Sequence, residues 1–268
     1  MKKIKTLFVL LLVFSSILYG QKKIDFSSVD RIISAIPDSL ATSSQGIANY
    51  INSNFITDEK KLRAIYVWIA ENIQYDIENM YSFSQGSDET IYRTIKPRKG
   101  VCQDFAELFN DIANRVGVKS YAITGYTKQF RRVSYNPHSW CAAKVGFDWF
   151  IFDPTWGSGS VQNSEFTKRL NDDYFQLLPK QSINSHMPFD PLWQFLEYPI
   201  TNAEFCSESL SSRNEKVFFN YKDTLKVYEN QSEVDRLISS IKRIENNSVN
   251  SFLIYTIIRN LQENVKNY

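Results

Sequence analysis

The apolar positions of this chain fall into blocks whose period changes along its length. Across residues 57–73, Leu62, Ile65, Tyr66, Ile69 and Ile73 recur three and four apart, Thr57 is placed to cap, and Asp58 and Glu59 suit the positive start of a helix. The pattern predicts an amphipathic helix. Over 75–100 the periodicity dissolves into stretches such as Ser84-Gln85-Gly86-Ser87-Asp88 and Lys96-Pro97-Arg98-Lys99-Gly100, which predict a long loop. Cys102, Phe105, Phe109, Ile112 and Val116 then share a second helical face, with Gly117 as its stop, so Cys102 stands in a first turn.

After Gly117 the period becomes two. Residues 121–126, 138–145 and 149–153 read as strands, the last two joined by the turn-forming Gly146-Phe147-Asp148. Helices followed by antiparallel strands predict an α+β fold rather than alternating α/β. Beyond Trp156 the chain turns irregular, with Gly157-Ser158-Gly159-Ser160 and Pro-containing turns between 179 and 191. Residues 232–265 read as helix interrupted near Asn246-Asn247-Ser248. Their stripe of Val234, Leu237, Ile238, Ile241, Leu253, Ile257 and Leu261 is expected to pack into a core rather than hold a partner, although a partner on this tail stays open.

Composition narrows the chemistry. The 268 residues suffice for a sizeable core, and three cysteines with two histidines make a multi-zinc protein implausible. Lys2, Lys3 and Lys5 precede an apolar run from Leu7 to Leu18, which reads as a secretory signal peptide over 1–20, with an uncleaved anchor as the alternative. Removing those three lysines leaves 28 of the 31 basic residues against 29 acidic ones, a mature net charge of −1. A nearly neutral chain offers no electrostatic case for nucleic acid. The expected location is therefore secreted or periplasmic, with no stable membrane span once the signal is cut.

Three residues could form a nucleophilic site. A helix start stabilises a thiolate, and Gly100 lets the backbone approach closely just before Cys102; a buried structural cysteine is the alternative. His138, in Asn136-Pro137-His138-Ser139-Trp140, opens a predicted strand at a sheet edge and could serve as the base. Asp153, in Phe152-Asp153-Pro154-Thr155-Trp156, falls on the return strand near His138, where an acid would orient the imidazole, although an Asp-Pro also starts turns.

The words Gly100-Val101-Cys102-Gln103-Asp104-Phe105-Ala106, His138-Ser139-Trp140 and Asp153-Pro154-Thr155-Trp156, in this order, resemble the Cys, His and Asp blocks of the transglutaminase-like superfamily. The segment from Ala64 to Asp76 is similar to the family's helix before the active site. Asp173-Tyr174-Phe175, His186-Met187-Pro188 and Leu192-Trp193-Gln194-Phe195-Leu196 resemble the extension of the kyphoscoliosis peptidase branch.

The resemblance, which covers about 55–205, implies a papain-like core over about 55–160 with an extension to about 205; the domain is expected over 21–205, and the periodicity of the tail, which the resemblance does not cover, adds a mainly helical C-terminal part at 206–268. The resemblance further implies Cys102, His138 and Asp153 as nucleophile, base and orienting acid acting on amide bonds of a protein or peptide, with hydrolysis slightly ahead of amine transfer. A binding module that keeps the fold without activity is the alternative. Gln74 and Tyr75 are candidates for a second oxyanion donor. Trp140 and Trp156 either wall the cleft or fill the core. His186 is expected to be structural. No cofactor or metal is expected, since no acidic cation-binding loop accompanies the motifs. Cys141 and Cys206 are expected either to pair or to remain two separate thiols.

Overall fold

Two helices that the periodicity does not reveal, α1 (Ser27–Ser34) and α2 (Ser44–Asn54), precede the predicted one, α3 (Asp58–Asn72). The computed structural model describes residues 24–80, 88–207, 217–247 and 251–268; the expected signal peptide and the middle of the predicted 75–100 loop lie outside them. The Thr57 hydroxyl accepts from Lys60 N, as its position predicts. The helix is not amphipathic, however: every residue from Leu62 to Ala70 is buried, because α1, α2 and the next long helix surround it. Even Arg63 lies inside, its guanidinium held by Asp30 at 2.7 Å and by Asp172.

The expected loop is largely structured as well. Strand β1 (Gln74–Tyr75) pairs in parallel with β2 (Lys99–Gly100), and between them runs α4 (Asp88–Ile95), which buries Thr94 and Ile95. Helix α5 (Cys102–Arg115) follows with its predicted apolar face, burying Phe105, Phe109 and Ile112. Its C-cap is Val116, and Gly117 takes φ +86°, a left-handed conformation that suits glycine.

The main sheet is antiparallel and four-stranded: β3 (Ser120–Gln129), β4 (Arg132–Val145), β5 (Asp148–Phe152) and, far along the chain, β8 (His186–Pro188), in the order β5-β4-β3-β8. Strand β4 begins six residues before the predicted start, so His138 lies within it. Between β5 and β8 come α6 (Pro154–Ser158), the hairpin β6 (Gly159–Gln162) with β7 (Glu165–Lys168), and the short α7 (Pro179–Ser182), where the sequence suggests irregular chain.

Alternation along β4 sends Cys141, Ala143 and Val145 toward α3 and α5, and Trp140 and Ala142 to the other face. That second face is covered by Leu192, Phe195 and Leu225, the last from α9 (Tyr221–Asn230). A third cluster joins Tyr126, Met187 and Phe205 of α8 (Asn202–Cys206) to Ile244 of α10 (Glu233–Asn246) and Ile254 of α11 (Phe252–Lys266). The C-terminal helices therefore complete cores around the sheet. Among the described residues, no helix is long and apolar enough to cross a membrane.

Candidate active site

Cys102 is the first residue of α5 and only 4% exposed. Two devices fix it there. The Asp104 carboxylate folds back onto Val101 N at 2.8 Å, half of a capping box, and Gly100 makes room, since a Cβ there would lie 2.7 Å from that of Asp104. Asp76 N also donates to Gly100 O at 2.8 Å, tying the approach to Cys102 to the chain beside Tyr75.

His138 sits opposite Gly125 of β3. Strand β5 ends at Phe152, opposite Cys141, so among the described residues this part of β4 has no strand on its other side. The local edge expected from the sequence arises in this way, although β4 itself is an inner strand. Asp153 is not a strand residue but the N-cap of α6: Oδ1 accepts from Thr155 N at 2.9 Å and Trp156 N at 3.0 Å. Its Oδ2 accepts from His138 Nε2 at 2.7 Å. Cys102 and His138 line the same cleft, and Cys102 contributes to the raised pKa of His138; with Nε2 engaged, Nδ1 is the nitrogen left for the thiol. The structure thus brings the three expected residues into one chain of contacts.

His186, which the sequence leads one to expect as structural, also reaches the site. It belongs to β8, paired with Thr127 of β3, and its Nε2 lies 3.0 Å from Asp153 Oδ2, the oxygen that His138 uses. Both histidines of the chain therefore converge on one carboxylate. The scarcity of histidine was the available signal, but no local pattern shows that β8 joins the sheet.

Burial alone would push His138 down; the Asp153 charge and hydrogen bond, with a contribution from Cys102, instead raise it to about 10. Burial alone would raise Asp153, but the two imidazoles hold it far below the usual carboxylate range. His186 shifts the opposite way from His138: burial lowers it despite Asp153, and the charge on His138 adds to the effect. One carboxylate balances one imidazolium, and a second would leave net charge in a dry site.

The ligating atoms of His138, Asp153 and His186 lie within 4.8 Å of one another, close enough to consider a cation. The arrangement does not suit one. Both ring nitrogens are directed at Oδ2 itself, so a metal would have to take that oxygen's place, while the α6 amides hold the carboxylate where it is.

A cleft of about 690 Å³ opens over Cys102 and His138, walled by Tyr75, Phe130, Trp156 and Phe166. Trp156 stacks on His138 at 5.2 Å between centroids, whereas Trp140 is 1% exposed and belongs to the core. Tyr75 lines the cleft, while Gln74 is exposed and does not. The cysteines are three free thiols. Cys141 lies under α5 with its thiol donating to Ala106 O at 3.2 Å, and Cys206 is exposed at the end of α8, so the alternative of a disulfide between them is not realised.

Residues 45–154 match the family model of the transglutaminase-like superfamily. The match takes in Cys102, His138 and Asp153 and stops short of His186. Kyphoscoliosis peptidase of Homo sapiens is 31% identical over 160 residues, 56% of this chain and 24% of that protein. Hillarin of Drosophila melanogaster is 24% identical over 207 residues, 68% of this chain and 24% of that protein. The chain thus spans about a quarter of the length of these curated relatives. A solved structure described as a candidate cysteine protease from Cytophaga hutchinsonii is 26% identical and covers 52% of this chain and 46% of that one, with a TM-score of 0.35.

Proposed function

We propose that this protein is an exported thiol enzyme that opens amide bonds of proteins or peptides through a Cys102 thioester, with water favoured over an amine as the final acceptor. The observation that carries the reading is the contact chain from Cys102 at a helix start, through buried His138, to Asp153 at 2.7 Å. The family match supports the class of chemistry, and the name of the human relative, a peptidase, favours hydrolysis. The basic and apolar run over 2–18 supports export to the periplasm or beyond.

In this reading the proton of the Cys102 thiol already resides on His138 Nδ1, and Cys102 Sγ attacks the carbonyl carbon. The resulting oxyanion lies at the start of α5, where first-turn amides lack intrahelical acceptors. Tyr75 is the better-placed of the two candidates for a second donor, since it faces the cleft. The imidazolium then gives its proton to the leaving amine as the C–N bond breaks. Water, deprotonated by the same ring, attacks the thioester and releases the acid and the thiol. Asp153 keeps His138 in the tautomer that both transfers need.

Alkylation of the purified mature protein with iodoacetamide across pH, with the adduct located by mass spectrometry, tests the reading. Cys102 should react faster than a small-molecule thiol at about pH 6, and His138→Ala should abolish the difference. Reaction at the small-molecule rate, unaltered by His138→Ala, would leave the inactive binding module as the better account. With a Gln-containing protein and a labelled amine, fragments or ammonia indicate hydrolysis; amine incorporation that needs Cys102 indicates transfer.

A further inference from the structure

Asp153 is fully buried, and a carboxylate has about four acceptor positions to satisfy. Four donors meet it: two α6 amides on Oδ1, and His138 and His186 on Oδ2. His186 is held at its other end too, with Nδ1 2.8 Å from Ser185 Oγ. A neutral ring with its proton on Nε2 satisfies both contacts, donating to Asp153 and accepting from the serine. The pocket around it is made by the rings of Trp140, Trp156 and Tyr174.

We propose that His186 is a positioning residue of this site: its Nε2–H fixes Asp153 Oδ2 and, through that oxygen, aims the His138 ring at Cys102. The inference rests on the functional reading above, but it concerns a residue outside the segment that matches the family model. His138 lies in β4 and His186 in β8, with β3 between them, so two strands of the sheet meet on one carboxylate. With the α6 amides on Oδ1 alone, the carboxylate can still pivot about that oxygen. The second imidazole removes the freedom.

Three substitutions test this by reach. His186→Gln keeps an amide donor at about the distance of Nε2, His186→Asn ends one bond short, and His186→Leu removes the donor while keeping an apolar filling. Losing a hydrogen bond to a charged group should lower Cys102 alkylation at about pH 6 by about tenfold or more in the Leu and Asn proteins, with the Gln protein within about threefold of the native rate. In a Cys102→Ala background, the downfield Nε2–H proton resonance of His138 should be kept with Gln and shifted or lost with Asn and Leu.

If all three alkylate like the native protein, or if all three are equally impaired and the His138 resonance is unchanged, the positioning role is overturned. Should the Leu protein fail to fold, the Gln and Asn pair decides, because the two share chemistry and differ in reach. The resonance is read without a nucleophile. A native Cys102 that proves unreactive would therefore sink the enzyme reading and leave the His186 test standing.

Discussion

His138 Nε2 lies 2.7 Å from Asp153 Oδ2, and the same carboxylate caps α6 through its other oxygen. The imidazole is thus referenced to a helix start rather than to a free side chain. Asp153→Asn should keep the cap but present an amide donor, or the wrong tautomer, to His138. Alkylation of Cys102 at about pH 6 should fall by about 10² or more. Loss of the buried pair should cost on the order of 3 kcal/mol in urea denaturation. An Asn protein with native stability and reactivity would remove Asp153 from the site.

The two histidines should push stability in opposite directions with pH. His138, raised to about 10, contributes stability that is complete below its unfolded value of about 6.5 and is lost as pH rises through 10. His186, lowered by burial, stays neutral while the unfolded chain takes up its proton, so its contribution is present above about 6.5 and drains as pH falls toward its lowered folded value. The stability advantage of native protein over His186→Gln should shrink on acidification below about 6.5, by at most about 1.4 kcal/mol per pH unit. A constant difference between pH 8 and 5 in urea titrations would contradict this.

Gly125 is where β8 closes against the sheet. A Cβ there would lie 2.1 Å from Met187 O and 2.5 Å from the Trp140 ring. Gly125→Ala should open that seam at a cost of about 1–3 kcal/mol and displace the neighbouring His186, lowering Cys102 alkylation. Gly146→Ala, at φ +60° but with nothing within 4 Å, should cost about 1 kcal/mol and leave alkylation unchanged. Equal effects of the two on alkylation would disconnect the seam from the site.

The thiols should separate by environment. Burial raises Cys141 well above its ordinary value, and its Sγ is engaged by Ala106 O. Native thiol titration should count Cys206, which is exposed, and Cys102, which opens on the cleft, while Cys141 reacts only on unfolding. Peptide mapping without reductant should find no disulfide. A Cys141–Cys206 bridge would contradict this packing.

Much of the site was legible because its elements are local. The start of α5, its glycine-assisted approach and the hairpin turn at Gly146 are all written in adjacent residues, and they place Cys102, His138 and Asp153 in order. Helices α1 and α4 were missed because each is only eight residues long, too short for a period to stand out. Helix α3 reads as amphipathic because Leu62, Ile65, Tyr66, Ile69 and Ile73 recur on one face; only neighbours from elsewhere in the chain bury Arg63 and Ala64 as well.

The sequence by itself determined the order and local setting of the nucleophile, base and acid, since caps, turns and short-range periodicity depend on a few neighbouring side chains. Tertiary structure alone decided that a three-residue strand 33 positions beyond Asp153 joins the sheet and brings His186 to the same oxygen. It also decided the opposite shifts of the two histidines. Both depend on which distant elements exclude water from Asp153, and burial of that kind is a property of the assembled layers.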